Sequence, residues 1–95
     1  MDYDTLKAHR ALLRAARMAS ACPRTQAERE AKAAVEDFLS PLRGEDLRLM
    51  RLRYLDGYRW EEIADKLYYT LRTLHTKHRR ILRRLGVVMG SRAPA

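Results

Sequence analysis

The sequence predicts an all-α fold of about five helices. Three observations lead there. Glycine and proline are scarce, 4 and 3 in 95 residues, and aromatics make up 7%, a composition that favours helices. Apolar residues recur at spacings of three, four and seven, the period of one helix face. Caps and breakers then divide the chain into runs of helical length. Ninety-five residues allow one domain with a modest core and leave little room for an enzyme cleft.

The first helix is expected to run from a cap at Asp2 or Asp4 to about Ala21, stopped before Pro23. Tyr3, Leu6, His9, Leu12, Leu13 and Ala16 would share its apolar face, and Lys7, Arg10, Arg14 and Arg17 the other. His9 on the apolar side is a packed histidine, since no second ligand type is spaced near it. Thr25-Gln26-Ala27-Glu28 is a capping box, in which hydroxyl and carboxylate each meet the other residue's backbone N–H. The helix it opens would bury Ala27, Ala31, Ala34, Val35, Phe38 and Leu39 and end before Pro41. So short a connection predicts that the first two helices lie antiparallel. Their alanine stripes would serve close packing or a homodimer seam.

A third helix is expected from Gly44 or a neighbour to about Leu55. Leu47, Met50 and Tyr54 fall on one side, and Leu49, Leu52 and Leu55 round another. A helix apolar on two sides is sandwiched. Asp56-Gly57 would end it. A fourth covers Trp60 to Leu67, with Glu61 and Glu62 in the first turn, where the helix dipole favours acids. Trp60, Ile63, Ala64 and Leu67 would face inward. Tyr68-Tyr69-Thr70 makes a turn, and Thr70 can cap the last helix. That helix would stop at Gly86, leaving 87–95 as a flexible tail. Three segments follow: 1–40 as a helical pair for interaction or dimerisation, 41–86 as the functional domain, and the tail.

The last helix carries the strongest signal. Leu71, Leu74, His78, Ile81, Leu82 and Leu85 form one narrow stripe. Arg72, Lys77, Arg79, Arg80, Arg83 and Arg84 lie on the other side, with Thr73 and Thr76 among them and no acid between Leu71 and Leu85. A helix with a packed face and a basic, hydroxyl-bearing face suits the major groove of double-stranded DNA, and with the segment before it makes a helix-turn-helix. A solvated basic surface helix would look similar in isolation. Charge distribution favours the first reading. The net charge is +8, and residues 1–47 hold eight bases and eight acids, so the whole excess lies in residues 48–95, with twelve and four. A localised excess of this kind is the footprint of a polyanion.

Other chemistries find little support. Cys22 is the single cysteine, which excludes an intrachain disulfide and a Cys-based zinc site. His75 and His78 lack an accompanying carboxylate or cysteine, so neither a metal nor another cofactor is expected. Glu61, Glu62 and Asp65 are explained by the dipole. No nucleophile triad or phosphate loop occurs, and catalysis is not expected. Tyr54, Tyr58, Trp60, Tyr68 and Tyr69 could stack on single-stranded bases, but they gather at helix junctions, where packing accounts for them. With no apolar run of spanning length and no signal-peptide pattern at the N-terminus, a soluble, intracellular protein is expected, with no membrane partner.

Residues 49–57, Leu-Met-Arg-Leu-Arg-Tyr-Leu-Asp-Gly, followed by Trp60-Glu61-Glu62-Ile63-Ala64-Asp65-Lys66-Leu67, resemble region 4 of sigma-70-type transcription factors. Thr70 stands for the family's Ser at the start of the recognition helix, and Thr73-Leu74 for its Thr-Val. The paired tyrosines also resemble phage and prophage regulators of the ArpU and RinA type. The likeness covers about Pro41 to Leu85. It implies a tri-helical DNA-binding domain that reads a promoter element, with RNA polymerase as a second partner, in the cytoplasm of a bacterial or phage-infected cell. By position, Thr70 would meet a phosphate, Arg72, Thr73, Thr76 and Lys77 would approach base edges, and Arg80 would follow the strand. Two positions depart from the pattern. Arg59 replaces a Ser or Thr cap, and Tyr68 replaces a turn glycine; a positive φ there would strain the tyrosine, and the favoured expectation is a slightly different turn. Nothing in residues 1–40 resembles the upstream regions of a complete sigma factor. The expected function is sequence-specific transcriptional regulation. A polymerase- or sigma-docking adaptor and a phage DNA-packaging recognition subunit are the alternatives.

Overall fold

The computed structural model describes residues 3–92, with side chains for residues 5–87. Five helices follow in order: α1 Tyr3–Ala16, α2 Gln26–Phe38, α3 Gly44–Tyr54, α4 Trp60–Leu67 and α5 Leu71–Arg92. No strand occurs among the described residues, so the all-α expectation holds.

Helix α1 is shorter than expected. It ends at Ala16, before the proline can act. The chain leaves it through two tight turns, Arg17 N–H to Arg14 O at 3.3 Å and Ala19 N–H to Ala16 O at 3.1 Å. Such i to i−3 bonds tighten and close a last turn. Asp2 lies outside the described residues, and Asp4 is inside the helix, so it is not the cap. The buried face is also rotated from the expected one. Thr5, Ala8 and Leu12 are buried, whereas Leu13 is 47% exposed and Leu6 and His9 are half-buried.

At α2, Thr25 Oγ1 accepts from the Glu28 N–H at 3.1 Å, as expected. The reciprocal bond goes one residue further back, from Arg24 N–H to Glu28 Oε2 at 3.4 Å. Val35 and Leu39 are buried and Phe38 is half-buried, but Ala27 and Ala34 are exposed. The alanine side of α2 is therefore largely a surface.

Helix α3 begins at Gly44, whose φ of +60° suits glycine. Leu49, Met50, Tyr54 and Leu55 are buried, while Leu47 and Leu52 are only half-buried. The helix contacts α1, α4 and α5, which accounts for its two apolar sides. Gly57, at φ +77°, turns the chain after it. Tyr58 N–H then reaches back to Leu52 O at 3.0 Å.

Helix α4 has the bounds and inward face expected of it, with Ile63, Ala64 and Leu67 buried. Arg59 offers no acceptor at its N-terminus. The Glu62 carboxylate instead accepts the Arg59 backbone N–H at 3.2 Å and its Nε at 3.2 Å. This half of a capping box holds the Glu62 carboxyl below its usual range, first through the backbone bond.

Helix α5 does not stop at Gly86. It continues to Arg92, so the expected tail is helical through most of its length. Gly86 is buried; in this position it adds no bulk to the packed side of a helix rather than ending one. The core is continuous from α1 to α5, joining Ala8, Leu12, Val35 and Leu39 to Leu74, Ile81, Leu82 and Leu85. The most extensive helix packing is α1 on α5, ahead of α1 on α2. The N-terminal residues thus share one core with the C-terminal ones across the expected boundary at residue 40. No helix among the described residues is long and apolar enough to cross a membrane.

Candidate nucleic-acid interface

The candidate surface is built on α5. Leu74, Ile81, Leu82 and Leu85 are between 0% and 2% exposed, and His78 is 7% exposed, which fixes the helix about its axis. Leu71, expected in the stripe, is 40% exposed. It falls in the first turn, ahead of the point where the other helices cover α5. With that side locked, the 3.6-residue period turns Arg72, Thr73, Thr76, Arg79, Arg80 and Arg83 outward. All six are exposed, as are Thr70 and Arg84.

Three residues, Tyr68 to Thr70, connect α4 to α5. Tyr68 has φ +60° and ψ +44°. The backbone therefore takes the left-handed conformation in which a tyrosine is strained. An L-residue pays about 1–2 kcal/mol for that conformation. Tyr68 is 93% exposed and has no packing to lose. Tyr68→Gly is accordingly expected to leave stability unchanged or raise it by up to about 1 kcal/mol. A thermal melt of the variant checks this; a fall in Tm would mean that the ring makes a stabilising contact.

Thr70 caps α5, its Oγ1 accepting from the Thr73 N–H at 3.2 Å while its hydroxyl hydrogen goes to Thr73 Oγ1 at 3.0 Å. The Thr76 hydroxyl donates to Arg72 O at 3.0 Å, leaving its lone pairs outward as acceptors. The free backbone N–H groups of the first turn add positive potential at this end.

The basic residues divide by what holds them. Lys77 Nζ lies 4.9 Å from the centre of the Tyr69 ring. The Tyr69 hydroxyl in turn donates to Glu45, a bond that raises its pKa. Arg84 pairs with Asp46 at 3.6 Å. Lys77 and Arg84 thus flank the outward face and are drawn toward the start of α3. Arg72, Arg79, Arg80 and Arg83 form no ion pair among the described residues. Past the middle of α5, Arg80, Arg83, Arg84, Val87 and Asp46 border a groove of about 590 Å³ floored by Ile81.

Behind this face lies a polar cluster that sequence reasoning did not assemble. The Tyr54 hydroxyl and His78 Nε2 are 2.7 Å apart. His78 packs against Trp60 with ring centres 4.6 Å apart and against His9 at 5.3 Å. His75 also meets Trp60, at 5.5 Å between ring centres. Arg53 lies 4.9 Å over the Trp60 ring and donates to Tyr58 O at 3.1 Å. Burial pushes the His78 imidazole down to about 4, helped by His9, His75 and Arg53 nearby. Burial also lowers His9 and raises Tyr54. The spacing of His78 placed it on the apolar stripe, but nothing in the sequence pointed to its partner on α3. Among the described residues, no group of His, Cys, Asp or Glu is arranged to hold a metal ion.

Comparison with protein-family models, with curated proteins and with solved structures returns no match to this chain. The outward side of α5 is a surface of defined chemistry. That surface offers exposed guanidinium groups and hydroxyls on one side of a rigid helix. Such groups can pair with phosphate oxygens or with base edges.

Proposed function

We propose that the chain is a sequence-specific double-stranded DNA-binding protein acting in transcription, with α4 and α5 as a helix-turn-helix and α5 as its recognition helix. One observation carries this reading. A helix anchored by four almost fully buried aliphatic residues exposes Arg72, Thr73, Thr76, Arg79, Arg80 and Arg83 together, with no acid between residues 71 and 85. Rigid anchoring matters because base readout needs side chains held in register with the groove. The three-residue connection between α4 and α5 is the length that this motif uses.

The likeness of residues 41–85 to sigma region 4 supports promoter DNA as the target and RNA polymerase as a second partner. The paired tyrosines support a phage or prophage origin, and so a bacterial cytoplasm. The roles proposed along α5 follow its geometry. Arg72, Thr73 and Thr76 approach base edges from the N-terminal turns. Thr70, Arg79, Arg80, Arg83 and Arg84 meet phosphates. Lys77, turned toward Tyr69, is assigned to the flank of the groove rather than its floor.

Arg72→Ala and Arg80→Ala separate these roles. Each is profiled against a base-substitution series of the duplex recovered by selection from random sequence, at several salt concentrations. Arg72→Ala is expected to flatten discrimination at one base position by about 1–3 kcal/mol. Arg80→Ala is expected to weaken all duplexes alike and reduce the log–log salt slope by roughly one unit. If both variants scale every affinity by one common factor, α5 is a non-specific basic surface, and the docking-adaptor reading replaces this one.

A further inference from the structure

A second basic surface lies on α1. Averaged over residues 1–47 the charge cancels, but it is segregated within them. Residues 5–27 hold five bases and no acid. Lys7, Arg10 and Arg14 fall on one side of the helix, Arg17 follows in the turn after it, and all four are exposed. Among the described residues none of them forms an ion pair. Lys7, Arg10 and Arg14, with Leu6, also border a surface cleft of about 200 Å³. The carboxylates of α2 that do pair are engaged elsewhere: Glu36 meets Lys32 and Arg51 at 3.9 and 3.8 Å.

The placement of this stripe relative to α5 gives it a meaning. Helix α1 buries Thr5, Ala8 and Leu12, on the side away from its bases. Its main packing partner is α5, and the His9 ring meets His78 on the buried side of that helix. Two helices packed through their inner sides turn their outer sides away from each other. The Lys7 to Arg14 stripe and the Arg72 to Arg83 face therefore each turn away from the α1–α5 contact, as two separate basic surfaces.

We propose that the α1 stripe binds the phosphates of a second DNA segment, so that a single copy of the chain bridges two duplexes. This rests on the reading of α5 as a DNA-binding helix. A basic helix can instead lie on an anionic membrane, but it does so by inserting its apolar side. Here Ala8 and Leu12 are committed to the core, which leaves Leu13 as the one large aliphatic side chain exposed among the described side chains of α1. Unpaired bases at helical spacing and no exposed hydroxyl between them fit backbone contact without base readout.

The test is a capture assay. A selected duplex is held on beads, the full chain is added, and retention of a second, fluorescent duplex is measured. The variant carries Lys7→Gln, Arg10→Gln and Arg14→Gln, which remove charge from exposed positions. Its helical circular dichroism and melting confirm folding, and the single Arg10→Gln variant serves should the triple one fail to fold. Wild type is expected to retain the second duplex. The triple variant is expected to bind one duplex as wild type does and to lose retention at least about tenfold, as three lost phosphate contacts require. Retention that survives in the variant overturns the proposal, and a dimer in sedimentation would then be the bridge. Equal loss of single-duplex binding and retention also overturns it, placing the stripe on the same duplex as α5. So does stripe-dependent flotation with phosphatidylserine vesicles in preference to DNA. Single-duplex binding by wild type without retention sinks this inference alone. Failure of wild type to bind any duplex sinks the reading of α5 with it.

Discussion

Leu49→Ala is expected to destabilise the fold by about 2–5 kcal/mol, the range for emptying a filled core position. Leu49 is 1% exposed and sits in the one core that runs through all five helices. Its neighbour Leu52, three residues on, is only half-buried. Leu52→Ala is expected to cost less than about 2 kcal/mol, because solvent already reaches part of the side chain and little cavity is left. Urea unfolding of both variants checks the pair. Equal costs would mean that α3 is rotated about its axis, with Leu52 as deep as Leu49. A stability of about 5–15 kcal/mol is usual for a domain, so the Leu49 change alone removes a sizeable share of it.

Acid should act on the same core through His78. Its folded pKa of about 4 lies below the ordinary 6.5, chiefly because burial disfavours the imidazolium. The fold thus favours the neutral ring. Its contribution is fully present above pH 6.5 and is lost as the pH falls toward 4, where the unfolded chain binds the extra proton. The loss amounts to about 3 kcal/mol by pH 4, and His9, also lowered by burial, adds to it in the same direction. Denaturant unfolding between pH 7 and 4 measures the slope. His78→Phe keeps an aromatic ring against Trp60 but removes the titration and the bond to Tyr54. That variant is expected to start less stable and to show a flatter profile in this window. An unchanged slope would assign the acid sensitivity to other groups.

Where the fold follows from local chemistry, the sequence was sufficient. The bounds of α4 follow from acids in its first turn and a turn residue after Leu67. The start of α2 follows from Thr25, whose hydroxyl meets the Glu28 N–H. The misreadings share one cause, because they depend on what the helices meet. Gly86 carries a stop signal as a residue type, yet its position on the packed side of α5 makes it part of a continuing helix. Alanines of α2 read as a packing stripe, but Ala27 and Ala34 have no neighbour to pack on. Tyr68 as a residue type argues against a positive φ, yet the short connection between α4 and α5 places it at φ +60°.

The candidate surface was legible to the same depth. Exposed bases and hydroxyls on α5 could be read from period alone. The links that sort them could not. Lys77 is drawn aside by Tyr69, itself bound to Glu45, and Arg84 by Asp46, which stands 38 positions earlier in the chain. Pairing over such distances is set by how α3 crosses α5, and no local pattern encodes it.

The continuation of α5 to Arg92 also sets a length. Twenty-two residues at a 1.5 Å rise make a rod of about 33 Å, and a major groove is only about 12 Å wide. A groove that takes the first turns, with Arg79, Arg80, Arg83 and Arg84 at its sugar–phosphate edge, leaves the rest of the rod as an overhang. Leu85 and Gly86 are buried on that overhanging part. The part of the protein packed on it would then be held out to one side, like a load on a cantilever, while Leu74, His78 and Ile81 keep the rest of the core behind the groove-facing turns. Any tilt of the tip in the groove would be multiplied at the far end.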